Sequence, residues 1–298
     1  MSVLAALPGI FNVVAPVFVV AAVGFGWIRA RLPYDSAFIT TFAVNVSTPC
    51  LVFSALVKAR PGGETLAVMA VAATATMGLA GLAGWGVLRA ARLPGKTYLS
   101  ALSFPNAGNL GLPVCLFAFG EEGLSLAVLY FAVMAIAQFT IGPAIAAGRF
   151  DWRMILGTPV IYAVAAALLA VGLDLQVPVW IGNTTRLLGD CAVALMLFSL
   201  GTALARLRPA GVGRAAALSA LRLGLGLAAG VGVSALLGLE GAMRGVVVLQ
   251  SAMPVAVFNY LWALRYNNAP EEVAGMVLFS TAMAFAGLPL LLLAVMPS

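Results

Sequence analysis

Ten stretches of this chain are each long and apolar enough to cross a bilayer: residues 8 to 30, 36 to 57, 65 to 88, 97 to 119, 123 to 147, 154 to 173, 178 to 205, 212 to 237, 242 to 264 and 271 to 296. A membrane helix needs roughly 20 mainly apolar residues. Charged residues and Pro/Gly punctuation separate the stretches. With 63% hydrophobic and only 9% charged residues over 298 positions, the chain has too little polar surface to cover a soluble globule. The expected fold is all-α and integral to the membrane, with ten transmembrane helices.

The basic residues obey a topological pattern. Arg29, Arg31, Arg89, Arg92, Lys96, Arg149, Arg153, Arg206, Arg208 and Arg214 fall in or beside the connections after spans 1, 3, 5 and 7. The alternate connections hold few beyond Lys58, Arg60 and Arg244. The positive-inside rule then puts both termini outside. The net charge of +6 is thereby explained by topology, and no nucleic-acid partner is expected. No Lys or Arg precedes Arg29, so the first span lacks the basic leader of a cleaved signal and is expected to stay in the membrane. Trp27, Trp152 and Trp180 near span ends are expected to anchor at the interfaces. Cys50, Cys115 and Cys191 have no metal-ligand spacing, and histidine is absent, which removes the commonest proton shuttle and metal ligand together. No cofactor is expected.

The two halves repeat at a nearly constant offset. KARP at 58 to 61 returns as RLRP at 206 to 209, Gly81 as Gly230, Pro105 as Pro254, and FTIGP at 139 to 143 as FAGLP at 285 to 289. The division is residues 1–148, spans 1 to 5, and residues 149–298, spans 6 to 10. Five spans is an odd number, so the second unit enters the membrane from the opposite side. In such inverted repeats the binding site lies near the midplane, where discontinuous helices of the two halves meet. Spans 4 and 9 are the candidates.

Span 4 contains SFPNAGNLGLP, Ser103 to Pro113, at the centre of a helix that would be about 35 Å long if continuous. Pro105 and Pro113 lack the N–H that would pair with the carbonyls of Ala101 and Asn109. Pro113 suits the first turn of a new half-helix, whose N-terminal amides favour a negative charge. Asn106 and Asn109 add donors and acceptors without fixed charge. Span 9 carries QSAMPVAVFNYLW, where Gln250, Ser251, Pro254 and Asn259 supply the same kinds of group. Its single proline predicts a milder break, with Asn259 roughly in the place of Pro113. A plainer reading has the prolines kinking two helices while the amides satisfy the freed carbonyls. The symmetric placement of both sets favours a site.

Other polar residues admit two readings each. Asn45 and Thr48 of NVSTPCLVFS are three apart and share a helix face; they either line the cavity or bond to a neighbouring helix. Asp190 is the one acidic residue well inside a span, hence a candidate coupling site. Arg186 at i,i+4 spacing offers it a local ion pair near the outer end of span 7 instead, and Arg222 is a second possible partner. Gly78, Gly81, Gly84 and Gly86 in span 3, with Gly224, Gly226, Gly230 and Gly232 in span 8, predict close helix packing. Glu121, Glu122, Glu271 and Glu272 are read as solvated loop charges.

NVSTPCLVFSAL, FPNAGNLGLPVCLFAFG, LLGDCAVALMLFSLGTAL, AMPVAVFNYLWALRYN and FSTAMAFAGLPLLL, taken in order, resemble the auxin efflux carrier family. That family includes plant PIN-type auxin carriers and bacterial malonate or malate permeases. The resemblance covers nearly the whole chain. It implies two inverted five-helix repeats with broken, crossing helices 4 and 9, and scaffold and transport subdomains that move relative to each other. It also implies an organic anion bound beside the crossover, at Pro105, Asn106, Asn109 and Pro113 and at Pro254 and Asn259. Span 9 lacks the second proline of the PIN-type pattern, and Ala194 stands where many relatives have proline. The long loop of plant carriers is absent as well.

The expectation is a secondary carrier of a small carboxylate, auxin-like or a mono- or dicarboxylate, in a bacterial inner membrane, with Asn45, Thr48, Gln250 and Ser251 as further binding candidates. Sodium or proton coupling stays open, as does a homodimer. The rival readings are a cation-coupled symporter or antiporter of related fold and a ligand sensor without flux. No paired intramembrane carboxylates, HExxH or Ser/His pair supports an enzyme.

Overall fold

A computed structural model describes residues 3–150 and 157–296. Trp152, Arg153 and the first three residues of the sixth apolar stretch lie outside the described residues.

Helix α1 runs Val3–Arg29. Helix α2, Ser36–Phe42, starts where the Asp35 carboxylate accepts the backbone N–H groups of Ala37 and Phe38 at 2.9 and 3.0 Å, which satisfies two donors that the first helical turn leaves free. A π-turn, Ala43–Ser47, links it to α3, Thr48–Ala59. Then come α4, Gly63–Ala90, and α5, Gly95–Ser103. A second π-turn, Ala107–Gly111, opens α6, Leu112–Ala147, which Gly120 divides with a left-handed φ of 64°. The second half holds α7 Pro159–Gly172, α8 Val179–Arg206, α9 Val212–Leu236, α10 Gly241–Ala252, α11 Val257–Arg265 and α12 Pro270–Val295.

The protein is helical and built for a bilayer. Large apolar side chains such as Phe11, Leu82, Leu187, Leu236 and Leu290 stand exposed on the helices, a distribution that water would not tolerate. Among the described residues seven helical stretches are long and apolar enough to cross a membrane, fewer than the ten apolar segments of the sequence. The difference has a physical origin. The fourth and ninth segments are cut into half-helices too short to count alone, Ala107–Ala147 continues through Gly120 as one stretch, and α7 has 14 residues.

The helices pack in two groups. In the first, α1 lies along α8, and α3 packs on α7 and α8. The α1/α8 contact is close because glycine faces backbone on both sides: a Cβ on Gly201 would fall 1.9 Å from the Ala21 carbonyl oxygen, and one on Gly24 would fall 2.2 Å from that of Phe198. The second group gathers α4, α5, α6, α9, α10 and α12. Of the glycines expected to pack closely, Gly81, Gly84, Gly226 and Gly230 face neighbours, whereas Gly78, Gly86, Gly224 and Gly232 face open space.

One expectation about charged residues changes. Glu272 is not a solvated loop charge: it pairs with Arg214 at 3.2 Å and accepts the hydroxyl of buried Tyr98, tying α5, α9 and α12 together. Glu121 pairs with Lys58 at 3.3 Å, and both of those side chains are well exposed, so that contact is worth at most about 1 kcal/mol.

Candidate functional site

Both chain breaks follow from local chemistry, and they are joined to each other. Proline disfavours helical backbone in the residue before it, and Phe104 accordingly turns extended at φ −103°, ψ 112° as α5 ends. In the second half Met253 and Ala256 are extended on either side of Pro254 and Val255. Pro105 and Val255 form an antiparallel bridge. The Asn106 N–H donates to the Pro254 carbonyl at 2.7 Å, and the Ala256 N–H to that of Phe104 at 3.4 Å. The second break is no milder than the first. This cross-pairing, with Ser280 Oγ accepting the Val255 N–H at 3.0 Å, holds the backbone extended where a second proline is lacking.

Asn259 completes the junction from α11. Its Oδ1 accepts the Ser100 hydroxyl at 2.7 Å, and its Nδ2 donates to the Phe104 carbonyl at 3.2 Å, with the side chain buried. The amide is therefore used up holding α5 to α11, and it lines neither cavity at the crossover.

Beyond the first break the chain opens into the π-turn, where the Gly111 N–H reaches back to the Asn106 carbonyl at 3.0 Å. Pro113 follows in the first turn of α6. The extra residue in the turn brings Asn106 and Asn109 to one small pocket of about 50 Å³, shared with Thr48, Gln138, Phe131 and Phe258. The space is small beside the adjoining cavity and fits a compact polar group. Asn106 Nδ2 and Gln138 Nε2 are buried there without a hydrogen-bond acceptor. Two unmet donors in an apolar surrounding are costly. They point to an acceptor supplied from outside.

The pocket adjoins a vestibule of about 300 Å³, with Thr48, Asn109, Met196 and Phe258 lining both. Tyr34, Tyr260 and Leu261 give the vestibule apolar walls, and Arg206 stands at its rim beside Ser36. No Asp or Glu lines either space. Arg206 is the charged side chain that lines them.

Several predicted residues lie elsewhere. Asn45 is exposed and lines neither space, while Thr48 is buried. The π-turn is the reason: the Thr48 N–H bonds to Ala43, five residues back, so the turn is wider than the α-helical one that would set Asn45 and Thr48 on one face. Gln250 packs against Gly111 and donates to the Ala127 carbonyl at 3.5 Å, and Ser251 Oγ bonds to Val248 at 3.1 Å. Both sit behind the crossover, away from the cavities. Asp190 lines a separate cavity of about 550 Å³ with Arg186, Lys58 and Glu121. Among the described residues it forms no ion pair with Arg186 or with Arg222, which is buried against the Ser251 carbonyl. Among these residues no cluster of His, Cys, Asp or Glu could hold a metal.

Gln138 escaped the sequence reading, which used the adjacent FTIGP only as a mark of the repeat. The available signal was an amide within an otherwise apolar run, AVMAIAQF, costly in a bilayer unless it has work to do.

Asn259 and Asn109 should respond differently to truncation. Asn259→Ala removes two bonds from buried partners and is expected to lower stability by about 1–3 kcal/mol. Asn109→Ala removes a side chain that bonds to no described residue and should leave the melting temperature unchanged. Thermal unfolding in detergent compares them, and equal shifts would contradict the assignment.

Residues 9–150 and 145–292 match the sequence pattern of a family described as membrane transport protein. A protein of Methanothermobacter thermautotrophicus named an uncharacterized transporter is 29% identical over 265 residues, covering 86% of this chain and 88% of that one. Auxin efflux carrier component 1 of Arabidopsis thaliana is 28% identical over 149 residues, 48% of this chain and 24% of the plant protein. Auxin efflux carrier component 3a of Oryza sativa subsp. japonica is 29% identical over 150 residues, again 48% of this chain and 24% of its own length.

Proposed function

Because the chain belongs to the membrane transport protein family, that of the auxin efflux carriers, we propose that it is a secondary carrier of a small organic anion. The observation that carries this reading is the pair of buried, unpartnered amide nitrogens, Asn106 Nδ2 and Gln138 Nε2, in a pocket with no acidic lining. An ionised carboxylate is acceptor-only and satisfies both. The inner pocket takes the head group and the aromatic vestibule takes the body, with Asn109 and Thr48 between them. Asn259 holds the crossover together, and Gln250 and Ser251 pack behind it.

The wider frame is ten spans in two inverted repeats, residues 1–148 and 149–298. Support comes from the antiparallel bridge between Pro105 and Val255, since antiparallel pairing is itself two-fold, and from the grouping of the helices. The first, second, sixth and seventh spans form one group and the rest another, which are matching members of each repeat. Sliding of one group along the other would expose the crossover to each side in turn, the alternating access expected of inverted-repeat carriers. The vestibule opens beside Tyr34, Ser36 and Arg206, the end that the basic residues assign to the cytoplasm of a bacterial inner membrane, with both termini on the outer side.

A thermal-shift screen of the purified protein against monocarboxylates, dicarboxylates and indole acids tests binding, because a ligand of the native state raises its apparent stability. Uptake into proteoliposomes separates a carrier from a sensor. Stabilisation without flux would overturn the carrier reading, and no stabilisation by any acid would overturn the anion site. Sodium or proton coupling predicts dependence of uptake on either gradient. It draws little support from the crossover, where no carboxylate is available to hold a cation.

A further inference from the structure

The space at the crossover is lined by amides, hydroxyls and apolar groups, and Arg206 at the vestibule rim is the one ionisable side chain apart from the Tyr34 and Tyr260 phenols. Another positive charge lies behind the second break. Arg222 of α9 is 1% exposed, and its Nη2 donates to the Ser251 carbonyl at 3.0 Å. Its Nε and Nη1 have no acceptor, and among the described residues no carboxylate pairs with it. Ser251 belongs to the last turn of α10, the half-helix that ends at the break. The backbone is shaped for this contact. A Cβ on Gly226 would fall 2.1 Å from the Ser251 carbonyl oxygen and 2.8 Å from Arg222 Nη1.

The C-terminal end of a helix carries about half a negative charge, and two such ends, those of α5 and α10, run into the paired breaks that Pro105 and Val255 join, with Pro105 itself lining the pocket. At α5 the last carbonyl, Phe104, is covered by neutral donors, the Asn259 amide and the Ala256 N–H. At α10 the cover is a guanidinium, which is always charged. A neutral amide caps the equivalent end in the same molecule, so satisfying a carbonyl does not by itself require an arginine. Burying an unpaired cation in a bilayer protein costs several kcal/mol, and that cost calls for a use of the charge.

Resting on the carrier reading above, we propose that Arg222 is the fixed positive charge that makes the crossover select anions, acting through the carbonyl end of α10 without touching the transported molecule. It is a positioning residue for charge. By cancelling the negative helix end it leaves the N-terminal ends of the half-helices to dominate the field at the pocket.

The test compares acids with their uncharged amides, benzoate with benzamide and indole-3-acetate with indole-3-acetamide, by thermal shift and by competition of uptake. The wild-type protein should prefer the acid. In Arg222→Gln the acid-to-amide preference should fall about tenfold with binding of the amide unchanged, and Arg222→Lys should keep most of it. A merely structural arginine would weaken acid and amide alike. Should Arg222→Gln fail to fold, Arg222→Ala with added guanidinium ion replaces it. Recovery of acid preference supports the proposal, and recovery of stability with a preference that never depended on guanidinium overturns it. A wild-type preference that survives in Arg222→Gln overturns this proposal alone. Absence of any acid preference in the wild type overturns the anion-carrier reading, and this one with it.

Discussion

Uptake of a small carboxylate by proteoliposomes is expected to fall about a hundredfold when Asn106→Ala and Gln138→Leu are combined, with no loss of melting temperature. Hydrogen bonds to a charged group are worth about 1.5–3 kcal/mol each, so losing one donor costs tenfold or more. The stability side of the prediction follows from the same two atoms. Neither Asn106 Nδ2 nor Gln138 Nε2 bonds to the protein, so removing them breaks no internal hydrogen bond of these nitrogens and relieves two buried, unmet donors. The variant should melt at or above the wild-type temperature in the absence of substrate. A substrate that protects the wild type should protect the variant far less. Unchanged uptake would remove both amides from the site, and a large fall in melting temperature would mean that they hold the fold.

The second large effect is expected on stability, at a place remote from the pocket. Gly201→Ala and Gly24→Ala each drive a Cβ to within 1.9 and 2.2 Å of a backbone oxygen on the facing helix. Overpacking typically costs 1–3 kcal/mol. Here the obstacle is main chain and cannot rotate away, so about 3 kcal/mol or more is expected for either substitution, seen as a lowered melting temperature or loss of folded protein. The control is Gly78→Ala or Gly86→Ala, where nothing lies within 4 Å and alanine's better helix propensity should leave stability unchanged or raised by up to about 1 kcal/mol. If all four variants melt alike, α1 and α8 do not meet as described.

What could be read from the sequence was what depends on short-range chemistry. A proline inside an apolar span announces its missing N–H wherever it sits, which made Pro105 and Pro254 visible, and their common offset with Gly81 and Gly230 suggested that they belong together. Features set by a distant partner stayed hidden. Glu272 looked like a loop charge because Tyr98 and Arg214 come to it from other helices, and Asn259 looked like a ligand for the anion because its two partners, Ser100 and Phe104, lie in the other half. Asn45 and Thr48 share a face only under a regular helical period that the π-turn does not keep. Gln138 was overlooked because no proline or charge marks it. The tightest helix contact, at Gly24 and Gly201, was missed for a related reason: glycine clusters drew notice in spans 3 and 8, whereas here one glycine per side suffices.

The bridge between Pro105 and Val255 also bears on how the protein is made. The Asn106 N–H and the Phe104 carbonyl find their backbone partners at Pro254 and Ala256, so a nascent chain carries these groups unpaired through the insertion of every intervening helix. Unpaired backbone at that depth is costly in lipid, and until the ninth apolar segment arrives the first five helices form an unfinished body that water or the insertion machinery must shelter. Completion of the membrane domain therefore waits on the ninth apolar segment, and a chain released early would present quality-control proteases with an open seam at Pro105 and Asn106.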